Sequence, residues 1–419
     1  MKSRLTHLPI HDIELSPSFA ADFISEFIKA CEKGRAGGDL YHSWKVCIMT
    51  YMIGKRMGLS DPGRRELFFA SLLHDIGGVM VGGHVVEKLT QVPDVYGQKN
   101  DFLIFAHPYR SQTIMRSFPT FRQISKIVGA HHEFFDGSGF PSGLKGEEIP
   151  LAARMIRLAD SVDITLKLHH IDDLSELLQF LHFSVGEEFD PAVFEAFREL
   201  VLGDSLLDMV KDSAEIERNM KKIKSEMNDT YYFASPDTLN RFFRMISIVT
   251  DNLTSPSSLH SLNVSDTAVQ IAGLMGLPDT ELMTIRWTGF LHDIGKLVVD
   301  RSVYFKKEKL SEEEWMQIHA HPQLTYDILN MVDGLDKIAF YALYHHENFD
   351  GSGYPEHLKG SKIPLGSRIL HIADAFEAMT SNRVYQRKKD WLDALDELKK
   401  NRGTQFDPEI VDTFVKEFS

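Results

Sequence analysis

Histidine and aspartate recur in this chain in one order, written twice. The first series is His42, His74-Asp75, His107, His131-His132 and Asp160, and the second is His260, His292-Asp293, His321, His345-His346 and Asp374. The first His precedes the His-Asp pair by 32 residues in both series, and ten of the 19 histidines fall in the two together. His and carboxylate are ligands of hydrolytic transition-metal sites, so each series reads as a candidate metal centre. A carboxylate has two oxygens, and the Asp beside a His can bridge two cations while the His holds one of them. Two metals about 3.5–4 Å apart can share a hydroxide and clamp the attacking and leaving oxygens of a phosphodiester. Ligands without thiolate suit iron, manganese or zinc alike.

The elements that must carry these residues are helices. Ser16-Pro17 predicts a helix start ahead of Phe19, Phe23, Phe27 and Ile28, whose spacing gives one apolar stripe. Asp61-Pro62 opens a second helix, which carries His74-Asp75 before Gly77-Gly78 stops it. Its counterpart runs from Pro278 to Ile294 and ends at Gly295. Apolar runs such as Lys296 to Val299 are too few for a sheet, so the expected fold is all-α, as two tandem helical bundles. The halves also share punctuation. His131 to Pro141 (HHEFFDGSGFP) parallels His345 to Pro355 (HHENFDGSGYP), and Gly186 with Phe189-Asp190-Pro191 parallels Gly403 with Phe406-Asp407-Pro408. The charged stretch Leu207 to Asp229 reads as a solvated connector helix, with a signalling helix joining the two halves as the alternative. The expected division is residues 1–205, a connecting helix over 206–230, and 231–419.

Composition bounds the partners. The chain is 43% hydrophobic and 25% charged, as globular domains are, and has no long apolar run and no apolar leader near its first residues. A cytoplasmic protein without membrane contact is expected. Cys31 and Cys47 are too few and too far apart for a disulfide framework or a thiolate zinc site. A formal net charge of −14 argues against binding polymeric nucleic acid, while leaving room for a small phosphorylated substrate held by metals and a few local cations.

On its motifs, the second half resembles the HD-GYP family of cyclic dinucleotide phosphodiesterases, a branch of the HD phosphohydrolases. These motifs are HDIGK (His292 to Lys296), HHENFDGSGYP (His345 to Pro355), the segment Ile363 to Arg383, and FDP (Phe406 to Pro408). The first half looks like a more diverged member. The resemblance implies two divalent metals in the second half, iron, manganese or zinc. His260, His292 and Asp374 would hold one, His321, His345 and His346 the other, and Asp293 would bridge them. Lys296 would touch the scissile phosphate, with Asp293 beside it in the catalytic set. Asp350, Gly353 and Tyr354 would shape the rim, and Arg383 would meet a phosphate or a base edge. The implied reaction is attack of a metal-bridging hydroxide on cyclic di-GMP or 3′,3′-cyclic GMP-AMP, giving a linear dinucleotide. A homodimer is compatible with the family.

The halves also depart from the family and from each other. Some members carry a Glu one turn before the first His; here stand Pro256 and, in the first half, Gly38, which favours two metals per site over three. Gln386 follows Tyr385 where a basic residue is usual. The first half keeps a second possible ligand set (His42, His74, Asp75, His107, His131, His132, Asp160), but Gly78 replaces Lys296, Phe140 replaces Tyr354, and Leu166 to His169 replaces the Thr-Ser-Asn-Arg segment. A regulatory, metal-occupied or structural role is expected for that half, with a working second active site as the alternative. His84, His319, His357 and His371 lie outside the series and read as surface or core residues. Trp44, Trp287, Trp315 and Trp391 read as packing residues, one of which could stack on a base. Two rival functions are a cyclic dinucleotide receptor without hydrolysis and an HD hydrolase of another phosphorylated nucleotide. The intact Lys296 argues against the first and the DGSGYP loop against the second.

Overall fold

Apolar residues spaced three and four apart set most of this chain into helices whose ends deliver the repeated His and Asp. The computed structural model describes residues 18–34, 40–79, 101–116, 118–169, 173–203, 205–227, 236–254, 259–306, 308–381 and 390–417. Among them the only β pairing is two isolated bridges, Val185 with Phe189 and Arg402 with Phe406. The helical expectation holds at that level. None of the described helices is long and apolar enough to cross a membrane. The chain divides into two compact units, one over Ala20–Tyr232 and the other from Phe233 onward together with Phe19.

The first unit contains α1 (Phe19–Lys33), α2 (His42–Arg56), α3 (Asp61–Leu73), α4 (Ile76–Val79), α5 (Asp101–Arg116), α6 (Arg122–Gly129), α7 (Leu151–His169), α8 (Leu174–His182), α9 (Pro191–Gly203) and α10 (Ser213–Ser225). Phe23, Phe27 and Ile28 of α1 are buried, as their spacing predicts, while Ser16-Pro17 lies outside the described residues. Helix α3 starts at Asp61 with the Ser60 hydroxyl accepting from Gly63 N–H at 3.4 Å, and leaves His74 as its C-cap.

Helix α10 differs from the solvated connector that its charge suggested. Asp212 caps it, and Ile216, Met220 and Ile223 form a buried stripe. Its charged face is also engaged, with Glu217 2.8 Å from Lys29 and 2.6 Å from Tyr41, and Lys224 3.1 Å from Asp22. Three apolar residues at helical spacing outweigh a charged composition once they have a surface to cover.

The second unit contains α11 (Pro236–Thr254), α12 (His260–Leu274), α13 (Asp279–Leu291), α14 (Arg301–Phe305), α15 (Glu312–His319), α16 (His321–Asn330), α17 (Asp336–Leu343), α18 (Leu365–Thr380), α19 (Trp391–Lys400) and α20 (Pro408–Lys416). Its core joins Val264, Ala268 and Ile271 of α12 to Ile369, Ile372 and Ala373 of α18 and to Ile410 and Phe414 of α20. Burying the Ile369–Ile372–Ala373 face leaves His371, Asp374 and Glu377 aligned along another face of α18.

Helix α13 stops at Leu291, three residues short of the predicted end, because Ile294–Val298 tightens into a 3₁₀ turn. Gly295 permits that turn: a Cβ there would lie 2.2 Å from the His321 carbonyl oxygen and 2.5 Å from Thr325 N. The missing side chain lets α16 come against the turn. Thr325 Oγ1 then accepts from Gly295 N–H at 2.9 Å and donates to the His292 carbonyl at 3.0 Å, tying the two ligand-bearing segments together.

Candidate metal centres

In the second unit His260 opens α12, His292 caps the end of α13, His321 opens α16, His345-His346 follow α17, and Asp374 projects from the middle of α18. Helix ends offer carbonyls without intrahelical partners, and three rings use them. His292 Nδ1 donates to Gly289 O at 2.9 Å, His321 Nδ1 to Ile318 O at 2.7 Å, and His345 Nδ1 to Ala342 O at 2.6 Å. A carbonyl only accepts, so Nδ1 carries the proton and each Nε2 presents a lone pair.

These lone pairs converge in two groups. Ligand atoms of His260, His292 and Asp374 lie within 4.8 Å of one another, as do those of His321, His345 and His346. Asp293 stands between the groups, its Oδ2 3.4 Å from His292 Nε2 and 3.6 Å from His260 Nε2, its Oδ1 3.3 Å from His321 Nε2. His292 Nε2 and Asp293 Oδ1 are buried without a hydrogen-bond partner among the described residues. Buried polar atoms are normally paired, and a divalent cation would satisfy both. The donor set of imidazole and carboxylate fits such a cation.

Electrostatics follow the same division. Burial pushes His345 and His346 well below the usual histidine range, reinforced by the neighbouring imidazoles, so both stay neutral. Burial also lowers His321 against the pull of Asp293. His260 goes the other way: burial opposes its charge, but Asp374, Glu377 and Asp293 raise it to about 10. Asp293 is held well below the carboxylate range, burial being outweighed by His292, Lys296 and His321.

Around the centre, Lys296 Nζ lies 2.5 Å from Asp293 Oδ2. Tyr354 stacks on His346, centroids 4.9 Å apart, and burial beside Asp293 and Asp374 raises its phenol so that it stays protonated. Gly353 is buried where a Cβ would lie 2.2 Å from Asn348 N and 2.4 Å from the His346 carbonyl. Asp350 turns inward on its own loop, accepting from Ser352 N–H at 2.9 Å and Ser352 Oγ at 2.7 Å. Arg383 lies outside the described residues. The FDP motif is architectural here: Asp407 accepts from Glu409 N–H at 2.9 Å at the start of α20 and pairs with Arg368.

The first unit builds a related but altered site. Asp75, His107, His131 and His132 form one ligand group, and His42, His74 and Asp75 another. His74 and His131 again place Nδ1 on helix-end carbonyls, of Ser71 at 2.7 Å and Val128 at 2.6 Å. Asp160 stays outside these groups. One oxygen is 3.4 Å from His42 Nε2, and the other is 3.2 Å from Arg157, whose guanidinium also lies 2.8 Å from His132 Nδ1. The matching position in the second unit is His371, 3.1 Å from Asn348 Oδ1.

Several contributors escape a search for repeated His and Asp. Glu377 accepts from His260 Nδ1, and its counterpart Asp163 accepts from His42 Nδ1 at 2.8 Å. Their position three residues after Asp374 and Asp160, one turn along the same face, is the signal that could have found them. Glu347 takes the amides of Glu356 at 2.7 Å and Leu358 at 3.0 Å, closing the loop after the paired histidines. Tyr304 of α14 has a buried hydroxyl without a partner among the described residues, and burial with the nearby Asp293 charge raises its phenol. A lone Tyr carries no sequence signal for that.

An HD domain family model matches residues 39–193 and again 242–410. The chain is 27% identical over 414 residues to a 3′3′-cGAMP-specific phosphodiesterase, number 3, of Vibrio cholerae serotype O1, covering 88% of each chain. It is 30% identical over 190 residues to a cyclic di-GMP phosphodiesterase of Thermotoga maritima, covering 45% of this chain and 52% of that one. The crystal structure of a cyclic GMP-AMP specific phosphodiesterase of V. cholerae matches the fold with a TM-score of 0.63 at 24% identity, over 95% of this chain and 97% of the other.

Proposed function

The chain belongs to the HD domain family, and on that premise we propose that it is a metal-dependent phosphodiesterase of the HD-GYP type whose second half opens a cyclic dinucleotide to a linear one. The observation that carries this is Asp293, buried between two groups of His and Asp side chains with an oxygen toward each. His260, His292 and Asp374 would hold one divalent cation, His321, His345 and His346 a second, with Asp293 shared. Bound cations of this kind supply an activated water and neutralise phosphate charge.

The chain's own residues do the rest. Lys296 places an ammonium beside the shared carboxylate, where a phosphate oxygen would draw it away and be stabilised as charge develops. Tyr354, held protonated, can donate a hydrogen bond from its hydroxyl to a phosphate or ribose oxygen. Asp350 and Gly353 contribute by shaping the loop that holds Tyr354, and Arg383 is assigned to a phosphate or base edge.

The domain division proposed is 1–205, 206–230 and 231–419, two tandem helical-bundle domains with the first as accessory. Gly78 in place of Lys296 and the Arg157 guanidinium against Asp160 support that assignment. The charge of −14 supports a small cyclic substrate over polymeric nucleic acid and accords with a cytoplasmic setting.

The test is to supply cyclic di-GMP and 3′,3′-cyclic GMP-AMP side by side with manganese or ferrous iron and to resolve the products by chromatography. The reading expects a linear dinucleotide from at least one, and the faster reaction names the substrate. No hydrolysis of either with any metal would overturn it in favour of a receptor.

A further inference from the structure

A ladder of rings leads outward from the second metal centre. Tyr354 stacks on His346 at 4.9 Å with 29° between planes, and His319 stacks on Tyr354 at 4.5 Å and 18°. Trp315 meets His319 edge-on at 5.5 Å. Both His319 and Trp315 lie on α15, an eight-residue helix with no buried residue, closed at its start by the Ser311–Glu314 capping box.

Trp315 is 50% exposed, and Met316 beside it 64%. By contrast Trp44 and Trp287 are 3% and 1% exposed and serve the core. A half-exposed indole at the end of a stacked series has an aromatic surface that no described element covers. A ring so placed is suited to a planar partner.

The first unit supplies an internal control. Its ladder starts the same way, with Phe140 stacked on His132 at 4.9 Å, and Phe105 lies against Phe140 at 4.7 Å. Counted back from His107, Phe105 stands for His319 and Asp101 for Trp315. A carboxylate cannot stack. In sequence, the half that keeps Lys296 therefore has an aromatic residue at the outermost position and the other half has none there.

We propose that Trp315, supported by His319, is a stacking ledge for one purine base of the cyclic dinucleotide whose phosphate lies at the neighbouring metal centre. The inference rests on the phosphodiesterase reading and adds to it a positioning residue. Trp315 stands three ring contacts out from His346, and a base stacked on it would be held equally before and during reaction.

Such uniform binding sets KM and leaves kcat alone. Trp315→Ala should raise KM for 3′,3′-cyclic GMP-AMP or cyclic di-GMP about ten-fold with kcat retained, and Trp315→Phe should restore most of it. Linear dinucleotide product titrated into the wild type should quench tryptophan emission. The quench should persist in Trp391→Phe and vanish in Trp315→Phe. Hydrolysis by wild type with an unchanged KM in Trp315→Ala, or a quench that survives Trp315→Phe, would overturn the ledge and spare the phosphodiesterase reading. Absent hydrolysis with Trp315-dependent quenching by the intact cyclic dinucleotides would do the reverse. Neither hydrolysis nor quenching would overturn both.

Discussion

Arg157 is the residue that separates the two sites most sharply. Its guanidinium lies against Asp160 and His132, two members of the first ligand series, and helps push His132 well below the histidine range, burial being the larger cause. A fixed cation at that distance repels an incoming one. Arg157→His, which copies His371, should raise the metal content of the first half, measured by elemental analysis of the isolated protein against wild type. Unchanged content would mean that Arg157 is not what limits binding there. At His260 the balance is different. Its carboxylate partners raise it to about 10 from an ordinary 6.5, so the ring is protonated at neutral pH in the metal-free protein. The stability from this pairing is fully present below pH 6.5 and lost as pH rises through about 10. A cation must displace that proton from Nε2, so apparent affinity should rise with pH below about 10, and calorimetry in buffers of different ionisation enthalpy at pH 7.5 should detect about one proton released. His321, His345 and His346, all lowered, should release none. The converging His and Asp stood out in the sequence because core packing does not repeat those types in one order. Arg157 and Glu377 were hidden there, since their types are ordinary on any helix face and acquire meaning only from what they touch.

At the scale of elements, the sites depend on how closely a turn and a helix approach. Gly295 and Thr325 set that approach in the second unit, and Gly77 with Ser111 repeats it in the first, Gly77 N–H donating to Ser111 Oγ at 2.9 Å and Ser111 Oγ donating to the His74 carbonyl at 2.7 Å. Thr325→Val keeps the shape and removes both hydrogen bonds, leaving a buried amide unpaired at a cost of about 1–3 kcal/mol. Thermal unfolding should show the loss, and the metal content should fall with it because His292 and His321 are the segments joined. A drop in stability with full metal content would show that the ligands are positioned by other contacts. Gly295 was legible as a helix stop, and the real stop came three residues earlier, since a glycine that admits a neighbouring backbone looks in sequence like one that only ends a helix. Helix α10 was legible as a helix and misjudged in its surroundings, because Ile216, Met220 and Ile223 are sparse among charges until a surface is there to bury them.

For the molecule as a whole, the family model matches residues 39–193 and 242–410, and each compact unit brings its own repeated His and Asp together. What periodicity alone could not supply is the asymmetry between the units. It resides in a few substitutions, Gly78 for Lys296, Arg157 for His371, and Asp101 for Trp315, that leave the repeated order of His and Asp intact. A Cβ at Gly78 would meet nothing nearer than His107 at 3.8 Å, so packing does not forbid a larger residue there. We therefore propose turnover in the second unit and an accessory role for the first. The direct test is the rate of cyclic dinucleotide hydrolysis by wild type, Asp75→Asn and Asp293→Asn under the same metal. Asp293→Asn should abolish turnover while Asp75→Asn keeps it; full activity in Asp293→Asn, or loss in Asp75→Asn alone, would refute that assignment.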